Sequence, residues 1–138
     1  MKEIVKLPHI LNITRISKEQ IDVGYPSTEY KNINCIYYFV FRNKVIKVGQ
    51  SINVCSRFAT YRSVSNGYPQ YREGGTYKTI DKIYQIMDIG EVIKIYAWFI
   101  NIKKQYELQG GRRIPIKPNI RVLEKQEKDK YQKTLLLS

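Results

Sequence analysis

The stretch CIYYFVFRNKVIKVGQSINVCSRFATYRS, residues 35–63, decides how the rest of the chain is read. Residues 35–41 are almost all aromatic or β-branched, the composition of a buried strand. Arg42-Asn43-Lys44 reads as a turn and VIKVG at 45–49 as a second strand, so a hairpin is expected. Ser51 can cap the helix that follows, in which Val54, Phe58 and Tyr61 recur at helical spacing.

The register of this hairpin fixes the face on which Lys47 lies. A three-residue loop at 42–44 pairs Phe39 with Lys47 and sets Lys47 diagonally from Tyr37 on one face. A two-residue loop at Asn43-Lys44 puts Lys47 opposite Val40, on the other face. The turn lacks glycine, although Asn43 tolerates unusual backbone angles, and both registers stay open.

Outward from this stretch the signals are weaker. Residues 1–34 read as an arm with short extended pieces, punctuated by Gly24 and Pro26. VSNGYPQYREGGTYK at 64–78 is a loop rich in Gly and Tyr. A second helix is expected from about Thr79 to Ile89, with Ile80, Ile83, Tyr84 and Met87 on one face and Gly90 as its stop. VIKIYAWFI at 92–100 has the near-continuous apolar character of a central strand. NIKKQYELQGGRRIPIKP reads as a second loop, and NIRVLEKQEKDKYQK as a last helix before the apolar tail TLLLS. Strand, strand, helix, helix, strand, helix makes an α/β (α+β) chain of one domain, residues 1–138, with an N-terminal arm at 1–32 and a core at 33–135.

Charge narrows the function. The 24 Lys and Arg against 12 Asp and Glu give a net +12, with an isoelectric point near 9.7. The excess runs along the whole chain with a bias to its last third, as on a basic surface that attracts a polyanion such as nucleic acid. No apolar run approaches the roughly 20 residues that span a bilayer, and the N-terminus lacks a signal-peptide core. The expected location is cytoplasmic, in a bacterium or a phage-infected cell. His9 is the one histidine, which argues against His-based zinc sites and Ser/His triads, and no small-molecule cofactor is expected. Cys35 and Cys55 lack metal-ligand spacing and read as ordinary buried thiols. The working groups of an enzyme must then be Tyr, Lys, Arg, Glu and Asp.

Cys35-Ile36-Tyr37, Lys47-Val48-Gly49 and Arg57 resemble, in type and spacing, the motifs of the GIY-YIG endonuclease family. The resemblance covers about residues 33–131 and implies a small three-stranded antiparallel sheet flanked by helices. Cys35 stands where the family has glycine, and Lys47 where it has its second tyrosine. Lysine there, with a tyrosine four residues after the arginine (Tyr61), resembles the restriction-enzyme branch. The family often carries a glutamate seven residues before an aromatic on its last helix. Glu124 and Tyr131 match that spacing, with Glu127 as runner-up, and no asparagine follows the helix as it does in many relatives.

The chemistry asks for these residue types. Phosphodiester hydrolysis needs an activated water, stabilisation of charge on the phosphoryl oxygens and help for the leaving 3′ oxygen. The resemblance implies Tyr37 as general base and Arg57 as clamp on the scissile phosphate. Lys47 would favour the phenolate, and Tyr61 would be a second phosphate or water ligand. Glu124 would hold one Mg²⁺ or Mn²⁺ per active site. DNA is the implied partner, and double-strand cutting would call for a homodimer or sequential nicks. Arg62, Tyr71, Arg72, Lys78, Arg112 and Arg113 are candidate DNA contacts in the first helix and the two loops. The competing reading is a basic DNA- or RNA-binding module without catalysis, which the charge and the twelve tyrosines would suit equally.

Overall fold

The structure is a computed structural model. It describes residues 3–68, 73–100, 105–109, 111–116 and 120–137, with the backbone alone at 105–109 and 112–116. Two strands come first, β1 (His9–Ser17) and β2 (Gln20–Val23), and then the hairpin β3 (Cys35–Phe41) and β4 (Lys44–Ser51). Helices α1 (Val54–Asn66) and α2 (Gly74–Ile86) precede β5 (Val92–Phe99). A second hairpin, β6 (Gln105–Gln109) and β7 (Arg112–Ile116), leads to α3 (Ile120–Lys130).

The main sheet has five antiparallel strands in the order β2-β1-β5-β3-β4. It is larger than the three-stranded sheet expected. The N-terminal segment read as an arm supplies two of its strands, and Ile10, Leu11 and Ile13 of β1 are buried in the core. Their pattern hid the strand. Ile10 and Leu11 are adjacent yet both buried, because the β1–β5 register shifts between His9 and Leu11, so strict alternation fails. The segment read as a second loop contains the β6–β7 hairpin, turned at Gly111 with φ of +79°. β5 is the middle strand, as its apolar run predicted.

All seven residues of β3 are buried, because the sheet is covered on both sides. Cys35, Tyr37, Phe39 and Phe41 pack with Val54, Phe58 and Tyr61 of α1 and with Ile80 and Ile83 of α2. Ile36, Tyr38 and Val40 face the other way, toward Leu123 of α3, Tyr131 and Ile4. Burial pushes the Cys35 thiol up to about 12, whereas Cys55, expected to be buried, is half-exposed on α1.

The β3–β4 hairpin takes neither register weighed above. Its turn is the two residues Arg42 and Asn43, with φ of 50° and 61°, and Phe41 pairs with Lys44. Two left-handed residues match the twist of the flanking strands. A bulge then adds one residue to β4: Val40 faces Val45, but Phe39 faces Lys47. The extra residue, Ile46, returns Lys47 to the face of Tyr37. Its carbonyl accepts the Leu137 N–H at 3.1 Å, while Thr134 Oγ1 donates to the Val45 carbonyl at 2.6 Å. The TLLLS tail thus satisfies the backbone that the bulge leaves unpaired.

Two helix starts differ from expectation. Asn53 caps α1, accepting from Ser56 N–H at 3.3 Å, while Ser51 Oγ accepts the Asn53 N–H at 2.9 Å. α2 begins at Gly74, one and a half turns before Thr79, despite the glycines that read as loop.

Replacing Ile13, which is fully buried, with alanine is expected to cost about 3 kcal/mol in a urea titration. A loss under about 1 kcal/mol, the value of an exposed position, would mean that β1 is the loosely attached arm the sequence suggested.

Candidate active site

β3 and β4 bring the first two candidate residues together. Tyr37 pairs with Gly49, and its phenol ring lies over that glycine. A Cβ built at Gly49 would overlap the ring atoms, so glycine is required there by the tyrosine's position rather than by backbone angles. Phe58 meets the Tyr37 ring edge-on, with centroids 5.5 Å apart. Tyr37 is 2% exposed, and its hydroxyl is directed to Arg57.

α1 supplies the next pair. Arg57 and Tyr61 are four residues apart and share a helix face. Arg57 Nε donates to the Tyr37 hydroxyl at 3.4 Å, and one terminal nitrogen donates to the Tyr61 hydroxyl at 3.2 Å. The guanidinium also lies 4.5 Å from the Tyr61 ring centroid. The other terminal nitrogen donates to Thr76 Oγ1, in the first turn of α2, at 2.9 Å. Thr79, one turn on and buried, donates its hydroxyl to the Gly75 carbonyl at 3.0 Å, within α2 itself. Burial raises the Tyr61 hydroxyl above the ordinary phenol range, so Tyr61 is a neutral hydrogen-bonding group rather than a base.

Lys47 completes the cluster. Burial is the main cause that lowers its ammonium to about 8, followed by repulsion from Arg57 and from Lys128, while Glu124 opposes the shift. β4 is an edge strand with α3 packed on it, which brings Glu124 and Lys128 within electrostatic reach of Lys47. Glu124 pairs with Lys128 at 2.7 Å, the ordinary i,i+4 ion pair of a helix. Glu127, the runner-up, is committed elsewhere. It is buried on the opposite face of the sheet, accepting the Tyr38 hydroxyl at 3.0 Å and lying 2.9 Å from the Lys130 ammonium.

Among the described residues no three carboxylate, histidine or cysteine groups converge. Glu124 is the one carboxylate that acts on Lys47. A single carboxylate, with the other positions filled by phosphate oxygens and water, is a donor set that suits Mg²⁺, which usually keeps several waters. Beside Arg57 a groove of about 410 Å³ opens, lined by Asn32, Ser51, Ile52, Asn53, Ser56 and Thr60.

The candidate DNA contacts divide. Arg62 is already engaged, donating to the Gly24 carbonyl at 2.8 Å and lying 3.8 Å from the Tyr25 ring centroid. Lys78 is exposed on α2. Tyr71 and Arg72, and the side chains of Arg112 and Arg113 on β7, lie outside the described residues. Tyr68 stacks on Tyr84 with centroids 4.5 Å apart and donates to Asp81 at 2.7 Å, so it is a packed residue rather than an open platform. Thr76 and Thr79 were not foreseen. Only their i,i+3 spacing could have drawn attention, and it carries meaning only once α2 is known to start at Gly74.

Lys47 makes a stability prediction with a definite sign. Its ammonium titrates near 8 in the folded chain against 10.5 for an unperturbed lysine. Between these values the unfolded chain binds more protons, so this group adds stability as pH rises from 8 to 10.5 and is destabilising below 8. Lys47→Met is therefore expected to raise stability at pH 7 by about 1 kcal/mol, discounted for the side chain's partial exposure. The advantage should shrink toward pH 10 in parallel urea titrations. A destabilised Lys47→Met at pH 7 would contradict this electrostatic account.

No family model and no curated protein matches the chain. Among solved structures, the chain is similar to the restriction endonuclease HPY188I in complex with product DNA. The two share 20% sequence identity, over 96% of this chain and 79% of that one, with a TM-score of 0.50. The likeness establishes a shared mixed α/β fold.

Proposed function

We propose that this protein is a divalent-metal-dependent DNA endonuclease of GIY-YIG type, acting as a restriction enzyme or a phage nuclease. The observation that carries the reading is the guanidinium of Arg57, hydrogen-bonded at once to the hydroxyls of Tyr37 and Tyr61, with Lys47 on the same face as Tyr37. A core that needed only packing would fill these positions with apolar side chains and avoid two neighbouring cations. The fold shared with a restriction endonuclease bound to DNA supports the same reading, as does the net +12.

In this mechanism DNA lies against the open side of Arg57, and the N–H groups that the protein does not use bind the scissile phosphate. Tyr37, as phenolate, takes a proton from the attacking water. The water oxygen bonds to phosphorus, the bond to the 3′ oxygen breaks, and that oxygen leaves as an alkoxide that takes a proton from solvent water, giving a 3′-hydroxyl opposite a 5′-phosphate. Tyr61 and Thr76 hold the guanidinium in place, and Lys47 lies on the same sheet face as Tyr37. Glu124 would hold the metal together with phosphate oxygens. A bound Mg²⁺ or Mn²⁺ supplies charge stabilisation at the leaving oxygen. One such site cuts one strand, so a double-strand break takes two copies or two successive nicks.

Purified protein incubated with supercoiled plasmids tests this. Conversion to nicked and linear DNA is expected with Mg²⁺ and not with EDTA. Tyr37→Phe and Glu124→Ala should each slow it by about 100-fold or more, the range of a lost base or electrostatic stabiliser. Several unrelated plasmids and genomic DNAs left intact, yet shifted on a gel, would replace this function with DNA binding alone.

A further inference from the structure

We propose that Thr76, in the first turn of α2, is a positioning residue that sets the orientation of the Arg57 guanidinium toward the DNA phosphate. The inference rests on Arg57 being the phosphate clamp. A guanidinium carries five N–H groups, one on Nε and two on each terminal nitrogen. Tyr37 uses that of Nε, Thr76 one on one terminal nitrogen, and Tyr61 one on the other. Among the described residues this leaves one N–H on each terminal nitrogen, and two such groups can make a bidentate phosphate contact.

Of the three fixed bonds the one to Thr76 is the shortest, at 2.9 Å, and the only one from outside the β3–α1 pair. Both tyrosines are buried and held by packing, so they define where the guanidinium sits. Torsion about the Cδ–Nε bond would tilt the guanidinium plane and swing the terminal nitrogens away, and the Thr76 bond opposes this motion. Thr76 stands in a helical turn rather than a loop, so the backbone of α2 fixes where its hydroxyl points. Rigid support of this kind separates a pre-oriented clamp from one that must be ordered on binding.

The test compares wild type with Thr76→Val, which keeps the shape and removes the hydroxyl, and Thr76→Ser, which keeps the hydroxyl. Thr76 is half-buried, so both variants should fold, and circular dichroism melts check this. Single-turnover cleavage by Thr76→Val is expected to fall about tenfold, the effect of losing one charge-assisted hydrogen bond. Its DNA affinity should stay within about twofold, and Thr76→Ser should restore the rate. In DNA-free protein, the Arg57 Nε–H NMR signal should be sharp in wild type and Thr76→Ser and broadened in Thr76→Val. An unchanged Arg57 signal in Thr76→Val overturns the inference, whether or not the protein cuts DNA. Equal impairment of cleavage in Thr76→Val and Thr76→Ser overturns it too. Loss of cutting in the wild type itself, with the Arg57 signal still dependent on Thr76, defeats the nuclease reading and leaves the positioning role standing.

Discussion

The site depends on one extra residue in β4, and that residue depends on the hydrogen bond from Leu137 N–H to the Ile46 carbonyl. The tight Arg42-Asn43 turn sets a register in which, without a bulge, Lys47 would face away from Tyr37. The bulge at Ile46 reverses that, and the C-terminal tail covers the backbone groups it strands. Because β4 is an edge strand, the tail also occupies part of an edge that would otherwise be open to pairing with another chain. An apolar tail far away in sequence therefore helps to fix the face on which Lys47 sits.

Alternation along β3 then gives two adjacent tyrosines opposite roles. Tyr37 points to α1 and α2 and meets Arg57, while Tyr38 points to α3 and donates to buried Glu127. Tyr38, raised above the ordinary phenol range by burial and by Glu127, stays neutral and serves as a structural donor. Arg57 lies beside Tyr37 and Lys47 across the hairpin, and among the described residues Glu124, which acts on Lys47, is paired to Lys128. Holding Lys47 where burial and the cations Arg57, Lys128 and Lys82 oppose its charge weakens the fold at neutral pH. A polyanion arriving at this surface would relieve that repulsion.

Much of the candidate site was legible in the sequence because it lies within one short stretch, where local periodicity governs. Tyr37, Lys47, Arg57 and Tyr61 all fall between residues 35 and 61, on a hairpin and the helix after it. Their faces follow from strand and helix periods. Lys47 reached the anticipated face by a different route, because no sequence rule separates a three-residue loop from a two-residue turn followed by a bulge. The parts that escaped notice depend on long-range contacts. β1 is a strand because β5 and β2 flank it, and its adjacent buried residues break the two-residue alternation. Gly74 and Gly75 argue locally for a loop, yet they form the exposed first turn of a helix whose later residues Ile80 and Ile83 pack in the core, so nothing local points to Thr76.

The measurement that tests the account most directly is Mn²⁺ binding followed by electron paramagnetic resonance, with and without a DNA duplex, in wild type and Glu124→Ala. With a single carboxylate the free protein should bind Mn²⁺ weakly. DNA should tighten binding at least tenfold by adding phosphate oxygens beside Arg57, and Glu124→Ala should abolish that gain. Tight Mn²⁺ binding without DNA, or a DNA-dependent gain that survives Glu124→Ala, would contradict a metal shared between Glu124 and the scissile phosphate.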